Sequence, residues 1–110
     1  MKKALLALSI LITVSAQERA PRVVEITAKK FEFAPTVITL RKGEPVTLRL
    51  SSADRAHGLL VKAFHIDLDV EGGKSTEVTF TPAESGSFPA ICDHYCGSGH
   101  GNMKMMFVVE

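Results

Sequence analysis

The 110-residue sequence has no tryptophan, one tyrosine, two cysteines and almost no charge imbalance. Each shortage excludes something. Thirteen Lys and Arg face twelve Asp and Glu, so no polyanionic partner is implied and nucleic-acid binding is not expected. The apolar block at residues 4–16 is 13 residues long, short of the ~20 that a transmembrane helix needs. No segment sustains a helical period, and there is no internal repeat, low-complexity tract or second domain; the length suits one core. No acid/base pair or Ser/His/Asp set suits hydrolysis, so the chain is not expected to be an enzyme on its own.

The first residues read as an export signal. Lys2 and Lys3 precede the apolar block, and Val14, Ser15 and Ala16 place small residues before Gln17. The expected organisation is a signal peptide over 1–16, a short leader over 17–21 and one domain over 22–110. Cleavage after Ala16 removes two lysines and no acids, leaving 94 residues with a net charge of −1. A buried N-terminal strand or helix and an uncleaved anchor are the other readings of this segment. Gln17, not a cysteine, directly follows the block, so a lipoprotein is not indicated. Export places the cysteines where disulfides are permitted.

Beyond the leader the pattern is β. Val46, Leu48 and Leu50 alternate with Thr47, Arg49 and Ser51, which predicts a strand with one buried and one wet face. Residues 22–28, 36–40, 58–61 and 65–70 are further strand candidates. Val78 and Phe80, then Phe88, Ala90 and Cys92, then Met105, Phe107 and Val109 each share a face. Phe31 and Phe33 are expected to be packing residues, and Met105 and Met106 core. Turn signals such as Lys42-Gly43 and Gly72-Gly73 recur roughly every 8–12 residues, as in a β-sandwich or barrel.

The chemistry is concentrated late. Cys92, His94, Cys96, His100 and Met103 fall within 12 residues, with Gly97, Gly99 and Gly101 between them. Thiolate and thioether are soft ligands that favour copper, and imidazole suits it too. The alternation of the preceding strand delivers Cys92 from the buried face, and the glycines permit a tight loop. A further imidazole is needed, and His57 offers it, 35 positions before Cys92 where a polar loop meets a strand. Loops at one end of a sandwich converge.

The pattern Cys-x3-Cys-x3-His-x2-Met with an upstream His resembles the CuA motif of cytochrome c oxidase subunit II and of the cupredoxin domain of nitrous oxide reductase. Phe31-x-Phe-x-Pro35 with Lys42-Gly43 is similar to the opening of many cupredoxins, and Asp54 matches a position in the oxidase family. The resemblance implies an all-β, cupredoxin-like Greek-key β-sandwich. It also implies two copper ions bridged by Cys92 and Cys96, with one imidazole, His57 or His100, on each. Met103 would be a weak axial ligand on the copper held by His57, and the backbone carbonyl of His94 would complete the other. Two departures stand out. Histidine replaces the usual Glu at position 94, and no Trp is present to form the family's aromatic patch for electron uptake. A free-standing CuA-like domain is expected, not an oxidase subunit.

Bridging thiolates let one electron spread over two metals, so each bond changes little on reduction. Coordination filled by protein leaves no open position for a substrate, which favours electron transfer. The expected role is a monomeric, exported, periplasmic electron carrier between partners such as c-type cytochromes and a terminal oxidase or reductase. Alternatives remain: a Cys92–Cys96 disulfide, a mononuclear type 1 copper site built from His57, Cys96, His100 and Met103, a copper chaperone, or a subunit of a larger oxidoreductase. His94 is read either as an exposed side chain near the metals or as a ligand for a transferred copper. His65 is read as a surface histidine within a strand, and Asp54 as a loop residue that bonds nearby backbone.

Overall fold

A computed structural model describes residues 20–93 and 103–110. The expected signal at 1–16 lies outside the described residues, as do His94, Cys96 and His100. Among the described residues nine strands run in chain order: β1 (Arg22–Lys29), β2 (Glu32–Ala34), β3 (Val37–Leu40), β4 (Val46–Ser52), β5 (His57–Val61), β6 (Ile66–Val70), β7 (Ser75–Phe80), β8 (Gly86–Ile91) and β9 (Lys104–Val109). They form two sheets, ordered β2-β1-β4-β7 and β3-β9-β8-β5-β6. β1 pairs in parallel with β4, and β3 with β9; the other pairs are antiparallel.

The two-residue period explains the core. Ile26, Ala28, Leu48 and Leu50 from the first sheet are buried against Leu59, Val61, Ala90, Met105 and Phe107 from the second. The outward face of the four-stranded sheet is mostly polar, although Val23 is exposed beside Thr47. Arg49 sits between Glu25 and Glu77 in register and reaches them at 2.9 and 2.8 Å. Solvent screens these exposed pairs; they keep the face wet and do not drive folding.

Because the chain repeatedly changes sheet, its connections gather at the poles. One pole collects the β1–β2 turn, the β4–β5 loop, the β6–β7 turn and the ends of β8 and β9. Backbone hydrogen bonds tie them together: Ala53 N–H to the Ala28 carbonyl (3.0 Å), Gly73 N–H to Ser52 (3.1 Å), Ser52 N–H to Lys74 (3.0 Å). At the opposite pole Phe64 packs on Phe80, Phe88 and Phe107 with centroids 4.9–5.6 Å apart.

Three local expectations are corrected. Met105 is in the core, but Met106 is not: alternation along β9 turns it to the outer face, where it is half-buried. His65 is not in a strand: Lys62–Phe64 forms a 3-10 turn, and His65 follows it in the left-handed region (φ 57°, ψ 39°), its N–H bonded to the Lys62 carbonyl. Phe31 is not a packing residue. It closes the β1–β2 turn at φ 88°, with its N–H on the Lys29 carbonyl at 2.7 Å. That turn throws the ring outward to 38% exposure while Phe33 is buried.

Candidate metal centre

His57 opens β5 and points inward with Leu59 and Val61; its side chain is fully buried. Asp54, three residues earlier, accepts from the backbone N–H of Lys30 and of Arg55, each at 2.7 Å. Ser52 fastens the same loop: its hydroxyl donates to the Arg55 carbonyl and accepts from Asp54 N–H at 3.3 Å. The expected backbone-bonding role of Asp54 is therefore seen, and it also meets the ring Nε2 of His57 at 2.7 Å.

The charge state of Asp54 decides the tautomer of His57. Burial alone raises the carboxyl pKa, but the hydrogen bonds from His57, Lys30 and Arg55 outweigh it and bring it to about 2. An ionised carboxylate can only accept, so Nε2 carries a proton. In the neutral ring Nδ1 is then a lone pair. It is buried, and among the described residues it has no hydrogen-bond partner. An unsatisfied buried acceptor costs about 1–3 kcal/mol, a cost that a metal ion removes by taking the lone pair. A carboxylate behind an imidazole is also how metal-binding histidines are oriented. His57 thus fits a metal ligand.

The linkage sign follows from the Asp54 shift. Its folded pKa lies below the ordinary 3.8, so its stabilisation is present above pH ~4 and lost as the pH falls through about 2. Acid-unfolding curves of wild type and Asp54→Ala are expected to differ at neutral pH and to converge between about pH 4 and pH 2.

Cys92 and Met103 are both buried. The Cys92 N–H donates to the Met103 carbonyl at 3.0 Å, so the two residues face each other just beyond the paired ends of β8 and β9, Cα atoms roughly 5 Å apart. Leu60 is registered with Ile91; carried one residue on, Leu59 lies opposite Cys92, and His57 is its diagonal neighbour one pleat nearer the pole. Diagonal neighbours on one sheet face stand roughly 7–8 Å apart, within reach of aromatic and long side chains, so the two side chains can serve one site. The structure therefore brings His57, Cys92 and Met103 to one pole on one face.

The sequence reading missed a group on the outer side of this pole. Asp67, Asp69 and Asp93 place carboxylate oxygens within 4.8 Å of one another. Asp67 and Asp69 alternate on β6, a signal visible in the sequence; the approach of Asp93 is not, because it depends on strand pairing. Burial, a hydrogen bond to Asp67 and the charges of Asp67 and Asp69 raise the Asp93 carboxyl to about 6. A raised acid penalises the folded chain above that pH, and the penalty is relieved as pH falls from about 6 towards 3.8. Asp67→Asn is expected to raise the melting temperature at pH 7 by a few degrees, with the gain fading by about pH 4.

The Cupredoxin-like domain family model matches residues 2–109. The chain is 32% identical over 87 residues to cytochrome c oxidase subunit 2 of Thermus thermophilus, covering 79% of this chain and 64% of that subunit. It is 30% identical over 91 residues to nitrous-oxide reductase of Cupriavidus necator, covering 79% of this chain and 14% of that protein. Both matches thus span less than two thirds of the relative's length. The crystal structure of the periplasmic domain of cytochrome oxidase subunit II from Bradyrhizobium japonicum superposes with a TM-score of 0.76 at 19% identity, covering 84% of this chain and 86% of that one.

Proposed function

This chain belongs to the cupredoxin-like domain family, and from that premise we propose that it is an exported electron-transfer protein with a binuclear, CuA-like copper centre. The observation that carries the reading is the buried Nδ1 of His57, without a hydrogen-bond partner among the described residues, one diagonal from Cys92 and on the face that holds Met103. In this reading residues 1–16 are a signal peptide, 17–21 a leader and 22–110 the working domain, delivered to the periplasm.

The ligands would be His57, Cys92, Cys96, His100 and Met103, with the carbonyl of His94; among them His57, Cys92 and Met103 are described residues. When bound, the two copper ions supply one-electron chemistry. The chain's own residues do the rest. Asp54 holds the His57 ring in one tautomer and one orientation. The Cys92–Met103 backbone bond fixes two ligands at the loop's base. Leu59, Ala90 and Met105, next to Cys92 and Met103 in the strand register, put buried apolar groups on the inner side, which excludes water and limits rearrangement when charge changes. Redox partners such as c-type cytochromes or a terminal oxidase or reductase fit this role.

Metal analysis with a paramagnetic spectrum of the purified chain tests the proposal. Two coppers per chain and a multi-line hyperfine pattern, from one unpaired electron shared by two nuclei, are expected. One copper per chain with a single-nucleus pattern would overturn it in favour of a mononuclear carrier. Rapid copper loss to a chelator with no reversible redox wave would overturn it in favour of copper delivery.

A further inference from the structure

The two sheets differ on their outer faces in how far apolar residues adjoin: Val23 is the exposed large apolar side chain of the four-stranded sheet among the described residues, with Thr47 beside it. The four-stranded sheet shows water the Glu25–Arg49–Glu77 ladder and the Thr47–Thr79 hydroxyl pair. Outward positions of an antiparallel sheet that faces solvent are normally polar in this way. The five-stranded sheet breaks the rule. Its outward row Leu60–Ile91 and the adjoining row Pro89–Met106–Val37 are in register, and all five residues are apolar. Ile91 is 43% exposed and Val37 56%. This stripe runs up to the candidate metal centre, since Ile91 directly precedes Cys92.

Charge on this face is acidic on the β5–β6 side of the pole. Asp67 is paired with Leu60, and Asp69 with Gly58. The same strand register places Asp93 on the other side of Gly58, whose missing side chain leaves room for the carboxylates to converge. Among the described residues no ion pair involves Asp67, Asp69 or Asp93. Lys104 stands at the other end of the Leu60–Ile91 row, a strand beyond Ile91. Crowded like charges weaken the free fold, and contiguous exposed apolar surface rimmed by polar groups marks interaction sites.

We propose that the outer face of the five-stranded sheet is a docking surface for a protein that presents lysine or arginine side chains around an apolar patch. The apolar centre meets Ile91, Pro89, Met106 and Val37, and the basic rim meets the Asp67–Asp69–Asp93 group. Complementary charge sets orientation and on-rate, while the apolar centre holds the complex. Asp93 and Ile91 are the neighbours of Cys92, so a partner seated here lies one residue from the candidate ligands. A second copy of this chain carries the same acidic group and fits this charge pattern poorly.

The test is amide shift mapping of the isotope-labelled chain titrated with a lysine-rich c-type cytochrome at about 20 mM and about 200 mM salt, with an acidic cytochrome as control. Perturbations are expected on β5, β6, β8 and β9 with the basic probe only. The Asp67→Asn/Asp69→Asn double variant is expected to weaken binding ~10-fold at low salt and much less at high salt. Ile91→Ser is expected to weaken it ~10-fold at both. Shifts centred on Glu25, Arg49 and Glu77, equal binding of both probes, wild-type affinity in both variants or no binding at all would overturn the proposal. So would self-association that Ile91→Ser abolishes. Binding is read here without reference to copper number, so this result and that of the metal analysis are separable.

Discussion

His57→Ala is expected to lose tightly held copper while retaining its β structure. The imidazole is fully buried, and its Nδ1 has no hydrogen-bond partner among the described residues. Alanine removes that donor and leaves the loop sulfurs without their distant anchor. Copper affinity should fall by more than about a hundredfold, beyond the ~10–100-fold expected for Asp54→Asn, which disturbs only the group behind the ring. Stability separates the two roles. In the metal-free chain the cavity costs about 2–4 kcal/mol, partly offset by removing an unsatisfied acceptor worth about 1–3 kcal/mol. With copper, wild type gains further through linkage and the variant does not. Melting curves with and without copper should therefore show a large upward shift in wild type, a smaller one in Asp54→Asn and almost none in His57→Ala. A full copper-induced shift in His57→Ala would remove His57 from the ligand set.

Much of this arrangement is legible in the sequence because it follows the two-residue period. Val46, Leu48 and Leu50 in β4, Ala90 and Cys92 around the end of β8, and Met105, Phe107 and Val109 in β9 are buried on the faces their alternation predicts. The same period puts Cys92 and Met103 inward. It fails where a short turn breaks the strand. The Phe31-x-Phe33 pair suggests two rings on one face, but the turn at Lys30 and Phe31 separates them, and β2 keeps only three residues. His65 fails likewise, because the 3-10 turn before it holds a conformation that alternation cannot encode. The hydrogen bond from Lys30 to Asp54 joins residues 24 apart, and nothing local announces it. Asp54 could be read as a backbone-bonding loop residue, but its hold on the His57 tautomer needed the fold.

Gly72 carries the second large effect, and no motif points to it beyond a turn. A Cβ at this position would lie 2.7 Å from the Asp54 carbonyl oxygen and 3.1 Å from the Arg55 Cα. Both atoms are backbone, so no rotamer relieves the clash and the β4–β5 loop has to move. Gly72→Ala is expected to cost about 1–3 kcal/mol, as overpacking does. Its specific consequence is at the metal centre: displacing Asp54 releases the Nε2 contact that orients His57. Gly73→Ala is the control. Gly73 has φ 74° with nothing within 4 Å of an added Cβ, so alanine there strains the turn by about 1 kcal/mol without pushing on Asp54. Copper affinity should fall about tenfold in Gly72→Ala and stay near wild type in Gly73→Ala. If Gly72 acts through Asp54, the two effects share one path and cannot add. Gly72→Ala should then lower affinity in the wild-type chain and change it little in the Asp54→Asn background. Full additivity in that double-mutant cycle would mean that the β6–β7 turn stabilises the domain without positioning His57.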